Sequence, residues 1–212
     1  MNSITIDSTG CRSDLCVFCA ESGTDKSPYG VHGHRHPYTA PYSLLFEPLR
    51  KKPIKFAEIG VFRGASLFAW RRFFTSARIF GFDNDINNLN IIARNQWPQV
   101  YLDVMDASKA SNIQSVLQKY VSDGELFDVI LDDASHDPAD QVQVIRTALQ
   151  FLKPGGLLII EDVFRERPTQ PYEEVFAEIR HLVSFHTFIV CDHENRYSPG
   201  WNNDKLLVFV RA

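Results

Sequence analysis

The stretch Lys55-Phe56-Ala57-Glu58-Ile59-Gly60-Val61-Phe62-Arg63-Gly64-Ala65-Ser66 decides the fold. It begins as an apolar run of strand character, passes an acidic residue and two glycines four apart, and ends on a serine suited to cap a helix. A strand that turns tightly into a helix opens a parallel α/β sheet. The glycine spacing restricts the ligand. A dinucleotide fingerprint needs G-x-G-x-x-G so that bare backbone meets a pyrophosphate, but the middle position is Phe62, and no G-x-x-x-x-G-K-[ST] loop occurs.

Downstream, short runs rich in Ile, Leu, Val and Phe alternate with longer amphipathic segments. Strands are predicted at Lys55–Val61, Arg78–Asp83, Val100–Val104, Phe127–Asp132 and Gly156–Asp162, as buried parallel strands should read. Helices are predicted at Ser66–Phe74, Asn87–Asn95, Ser111–Tyr120, Gln141–Leu152 and Tyr172–Val183, with Lys153-Pro154-Gly155-Gly156 ending the fourth. His186–Asp192 and Leu206–Arg211 then read as a hairpin around a Pro-Gly loop. The expectation is a seven-stranded mixed sheet with helices on both faces and one antiparallel strand. Ligands in such sheets bind at the carboxyl ends of the central strands, where the strand order reverses.

Upstream, residues 1–53 carry no sustained period and read as a loop-rich arm or lid with at most short helices, ahead of a catalytic domain at 54–212. Cys11, Cys16 and Cys19, with one histidine from His32, His34 and His36, offer either a zinc site or reduced, partly packed thiols. A chain of 212 residues with 44% hydrophobic content supports one sizeable core. Its net charge of −4 favours a small molecule over a nucleic acid as partner. No run approaches the roughly 18 apolar residues of a membrane span, so a cytoplasmic protein without a membrane partner is expected. A homo-oligomer is compatible with all of this.

A ligand with a sulfonium and an amino acid tail, but no phosphate, suits the first loop, and S-adenosylmethionine is one. The second strand ends in Gly81-Phe82-Asp83, whose carboxylate can accept from two ribose hydroxyls or serve as a cap of the next helix. The fourth and fifth strands end in Asp132-Asp133-Ala134-Ser135-His136 and Glu161-Asp162, placing four carboxylates and a histidine within roughly 10 Å on one edge. Such crowding invites a hard divalent ion, magnesium first, with His136 as general base. The alternative is a set of hydrogen-bonded carboxylates and a structural histidine. Side chains alternate along a strand, so Glu161 and Asp162 reach one ion only if the backbone bends.

These residues resemble the class I methyltransferases, and within them the magnesium-dependent sugar O-methyltransferases of the macrocin and mycinamicin type. The resemblance rests on Glu58 to Ser66, Gly81-Phe82-Asp83, the Asp-Asp-x-Ser-His stretch with Glu161-Asp162, Gly23-Thr24-Asp25-Lys26, and His36-Pro37-Tyr38 to Tyr42. It implies a Rossmann-like fold and S-adenosylmethionine held by Glu58, Gly60, Gly64, Ser66, Asp83, Asp106 and Asp132. It further implies a magnesium site at Asp133, Glu161 and Asp162, and His136 as base. Lys26, Tyr38 and Tyr42 fall beside the active site. Read from its residues alone, the loop Tyr197 to Asp204, with Trp201 and its amide groups, is either suited to grip a hydroxylated acceptor, a glycoside for example, or a well-packed turn. Ala134 stands where that pattern has glycine. A metal-independent methyltransferase acting on nitrogen or a carboxylate, and a non-catalytic cofactor-binding protein, are the competing expectations.

Overall fold

The computed structural model describes residues 2–31, 33–121 and 124–212. The chain runs β1 (Ser3–Asp7), α1 (Asp14–Ser22), α2 (Thr39–Phe46), β2 (Lys55–Ile59), α3 (Ala65–Phe73), β3 (Arg78–Asp83), α4 (Ile86–Ala93) and β4 (Val100–Val104). It continues with α5 (Ala110–Tyr120), β5 (Phe127–Asp132), α6 (Pro138–Ala148), β6 (Leu152–Ile160), α7 (Gln170–Ile179), β7 (Val183–Asp192) and β8 (Lys205–Arg211). The strand order is β1-β7-β8-β6-β5-β2-β3-β4, with β8 antiparallel to both neighbours and the other pairs parallel. From β2 the chain winds outward to β3 and β4, then returns to β5 on the other side. The reversal therefore opens a crevice beyond Ile59 and Asp132, which are register partners.

The sheet has eight strands rather than the expected seven, because Ser3–Asp7 pairs in parallel with Phe188–Asp192 along one edge. Strand β2 stops at Ile59, since Gly60 takes a φ of +87° and leaves the extended region. Strand β6 begins at Leu152, not Gly156: α6 ends at Ala148, a 3-10 turn follows, and Pro154 is tolerated where the β5 register slips between Phe127 and Val129. The last helix likewise ends early, at Ile179, and β7 starts at Val183. Ser66 is not the cap expected of it. Gly64 holds that position, and the Ser66 hydroxyl points inward to Glu58.

Two apolar layers cover the sheet. One gathers Ile113 and Leu117 of α5, Ile145 and Ala148 of α6 and Val175 of α7 against Ile130 and Leu158. The other gathers Leu15 of α1, Tyr42 and Phe46 of α2 and Trp70 of α3 against Phe56 and Val129. Burying each such large side chain is worth about 1.5–3 kcal/mol. The arm is thus part of the core, and packing there aims its polar side chains at the carboxyl edge. Among the described residues no helix is long and apolar enough to cross a membrane.

Candidate functional site

At the crevice the first loop approaches the fourth strand so closely that a Cβ on Gly60 would sit 2.1 Å from the Asp133 carbonyl oxygen. With a positive φ as well, this position admits only glycine. Gly60→Ala is expected to destabilise the protein by about 1–3 kcal/mol and to displace Asp133, checked by thermal melting and cofactor titration. An unchanged melt would mean the loop is free to move away.

Asp83, at the end of β3, accepts from the Phe62 amide at 2.7 Å through Oδ2, and from the Asp85 amide at 2.9 Å and Asn88 Nδ2 at 3.2 Å through Oδ1. It ties the first loop down, while capping falls to Asp85, whose side chain accepts from Asn87. Asp83 lines a cavity of about 460 Å³ together with Gly60, Asn84, Met105, Asp106, Ser108 and Asp140. Asp106 is fixed there by Lys109 and Ser108, which hold its carboxyl down to about 2. Gly60 and Ala134 also border a second cavity of about 490 Å³ that reaches Asp25, Ser66, Asp133 and His136. Glu58 and Asp132 stand behind these walls. Glu58 is fully buried and accepts from Ser66 at 2.7 Å and Trp70 Nε1 at 3.0 Å, and burial raises the Asp132 carboxyl to about 8. Gly64 is pressed against Ile92 and lines neither cavity.

Lys26 holds the most consequential position. Gly23, with φ +79°, ends α1 and turns the chain inward, so the lysine is 1% exposed with its ammonium paired to Asp133, to Glu161 at 2.6 Å and to Glu58 at 3.4 Å. Burial disfavours the charge, but the three carboxylates outweigh it and hold its pKa well above the usual lysine range. Tyr38 and Tyr42, four apart and so on one side of α2, reach consecutive acids: Tyr38 donates to Asp162 Oδ1 at 2.7 Å and Tyr42 donates to Glu161 Oε1. Both oxygens of Glu161 are therefore engaged by protein.

The backbone does bend after β6. Asp162 adopts φ +56°, as does His136 across the cleft, conformations rare outside glycine and concentrated at functional sites. The bend turns Asp162 away from Glu161 and toward His136, whose Nδ1 is 3.3 Å from Asp162 Oδ2 and 4.0 Å from Asp133 Oδ1. That nitrogen is buried without a hydrogen bond, and burial lowers the pKa of the ring, so the imidazole is neutral. Asp133, His136 and Asp162 each offer a ligand atom, all within 4.8 Å of one another. This orphaned nitrogen and its two carboxylates fit a divalent ion with a base beside it. Trp201 stands over the group, edge-on to His136 at 6.1 Å.

The N-terminal thiols do not join this group among the described residues. Cys16 contacts Ser13 and Thr39, Cys19 is buried and Cys11 exposed, while His34 pairs with Ser198 and His36 with Asp204. His32 lies outside the described residues. Sequence reasoning placed Asn203 and Asp204 only within a loop that could face an acceptor and did not foresee their bonds to Tyr38 and His36. Their signal was topological: β8 is antiparallel, so the residues just before it arrive at the same edge as the carboxyl ends of the parallel strands.

A family model described as methyltransferase domain matches residues 57–163, half of the chain. The 8-demethyl-8-alpha-L-rhamnosyl tetracenomycin-C 2'-O-methyltransferase of Streptomyces olivaceus is 31% identical over 156 residues, covering 70% of this chain and 37% of that protein. Mycinamicin VI 2''-O-methyltransferase of Micromonospora griseorubida is 26% identical over 141 residues, 62% of this chain and 33% of the relative. The chain thus spans about a third of the length of these curated relatives. The MycE methyltransferase from the mycinamycin biosynthetic pathway, solved with Mg and SAH, superposes with a TM-score of 0.70 at 19% identity over 95% of this chain and 55% of that one. That likeness establishes the Rossmann-like fold.

Proposed function

The chain belongs to the methyltransferase domain family, and from that membership we propose that it moves the methyl group of S-adenosylmethionine to a hydroxyl oxygen of a sugar-containing or polyhydroxylated small molecule. The observation that carries this reading is the convergence of Asp133, His136 and Asp162 beside two adjoining cavities. The named relatives are O-methyltransferases of a rhamnosyl tetracenomycin and of mycinamicin VI, which supports a sugar hydroxyl as acceptor. The arm, residues 1–53, serves as the cover that completes the site, and a cytoplasmic setting belongs to the same proposal.

In this reading Asp83 accepts from the ribose hydroxyls, Asp106 and Ser108 face the adenine, and Gly60 with Ser66 receives the methionine end. Asp133 and Asp162 would hold magnesium, which prefers oxygen and is usually bound by one or two carboxylates plus waters and substrate oxygens. When bound, that ion orients the acceptor oxygen and lowers its pKa. Glu161, committed to Lys26 and Tyr42, supports the edge from behind. The neutral imidazole of His136 takes the acceptor proton as oxygen attacks the methyl group. Trp201 and the buried edge exclude water from the transfer.

One observation favours a second reading without metal: Lys26 already neutralises Asp133 and Glu161. The two separate cleanly. Methyl transfer to simple glycosides, assayed after EDTA treatment and again with magnesium restored, is expected to vanish and return; activity untouched by EDTA would select the metal-free form. Asp83→Ala is expected to weaken S-adenosylmethionine binding by about tenfold to a hundredfold, as loss of charge-assisted hydrogen bonds does. Calorimetric titration reads this directly, and undiminished affinity would remove Asp83 from the cofactor site.

A further inference from the structure

Beside His136 lies a smaller cup of about 290 Å³, lined by Asp25, His34, His36, Asp162, Trp201 and Asn203. Its volume is at the low end of small-molecule sites, about 300–1,000 Å³, so it admits a single ring rather than a whole glycoside. One wall is Trp201, half exposed and packed against Phe164 at 5.7 Å. His36, only 2% exposed, also lines the cup, and its ring is held at Nδ1 and on the face toward Tyr38. Nδ1 is 2.8 Å from Asp204 Oδ1, the ring stacks on Tyr38 at 5.1 Å, and its backbone amide donates to the Asp25 carbonyl at 2.6 Å. Asp204 is itself fully buried and accepts from Arg196 Nη1 at 2.6 Å.

Nδ1 is taken by Asp204, and the hydrogen bonds of the described residues include none to Nε2, which leaves that nitrogen for the cup that His36 lines. An imidazole oriented this firmly, with its second nitrogen unspent, is arranged for a ligand. A purely structural histidine needs only the Asp204 contact.

We propose that His36 is a positioning residue for the acceptor, its Nε2 engaging the ring hydroxyl vicinal to the one that is methylated, with Asp204 fixing the imidazole. The inference rests on the hydroxyl-acceptor reading above. It explains why the cup has histidines on two sides: His136 faces the reacting oxygen, and His36 sets which hydroxyl that is. The acceptor class follows as a ring with vicinal hydroxyls.

The test is steady-state methyl transfer from S-adenosylmethionine to methyl α-L-rhamnopyranoside and its single-deoxy derivatives, with magnesium present. His36→Asn keeps an amide near Nδ1 for Asp204 and removes the Nε2 partner, whereas His36→Gln restores a donor near Nε2. The asparagine variant is expected to raise KM for the rhamnoside about tenfold, the loss of one good hydrogen bond, with KM for S-adenosylmethionine unchanged and glutamine recovering part of the loss. On the derivative lacking the engaged hydroxyl, wild type and His36→Asn should share one KM. An unchanged rhamnoside KM in His36→Asn, or a parallel rise for both substrates with a lowered melting temperature, overturns the inference alone. Failure of the wild type to methylate any of these rings overturns the hydroxyl-acceptor reading and this inference together.

Discussion

Lys26→Met is expected to lower the melting temperature by on the order of 10 °C. The substitution preserves length and apolar stem but leaves Asp133, Glu161 and Glu58 facing one another without their shared cation. Removing one partner from a buried ionic cluster costs about 3–5 kcal/mol, and each kcal/mol shifts the midpoint of a domain this size by about 2–4 °C. Calorimetry of the variant tests the size. The double variant Lys26→Met with Glu161→Gln tests the cause, because removing one of the stranded charges should restore a large part of the loss. If the single variant melts with the wild type, the lysine is not the keystone of the edge.

His136→Ala is expected to slow methyl transfer by about a hundredfold to ten-thousandfold, the range over which a positioned general base contributes. The ring is the only side chain among the three convergent groups that can be neutral and accept a proton while magnesium takes oxygens from the other two. S-adenosylmethionine affinity should change far less than the rate, since His136 lines the second cavity but not the one around Asp83. Single-turnover rates with and without added imidazole are the measurement. A rate within a few-fold of wild type would leave the proton to go directly to water and would strip His136 of its role.

The alternation of strands and helices was readable because strands buried on both faces advertise themselves. Arg78–Asp83, Val100–Val104 and Phe127–Asp132 are strands from first to last residue named from sequence. Ser3–Asp7 was missed although Ile4, Thr5 and Ile6 carry β-branched side chains, because an edge strand of five residues, mostly exposed, has no long apolar run to show. Lys153-Pro154-Gly155-Gly156 misled for the opposite reason: residues that end helices also sit at register slips in sheets. In the site, residue types pointed to chemistry, but partners did not follow from spacing. Glu161 was expected beside Asp162 at one ion, and only the φ of Asp162 shows that the two consecutive acids face different partners. Lys26 and Glu161 are 135 positions apart, and nothing local to either announces the pair.

That separation bears on how the protein comes into being. The first strand pairs with residues 188–192, and the lysine from residue 26 meets Asp133 and Glu161, 107 and 135 positions downstream. Loop closures this long are slow, so the earliest compact states during refolding should contain β2 to β5 and their helices, with the edge still open and its acids hydrated. Competence to bind the acceptor would then appear as the final kinetic phase, after most of the circular-dichroism signal has returned.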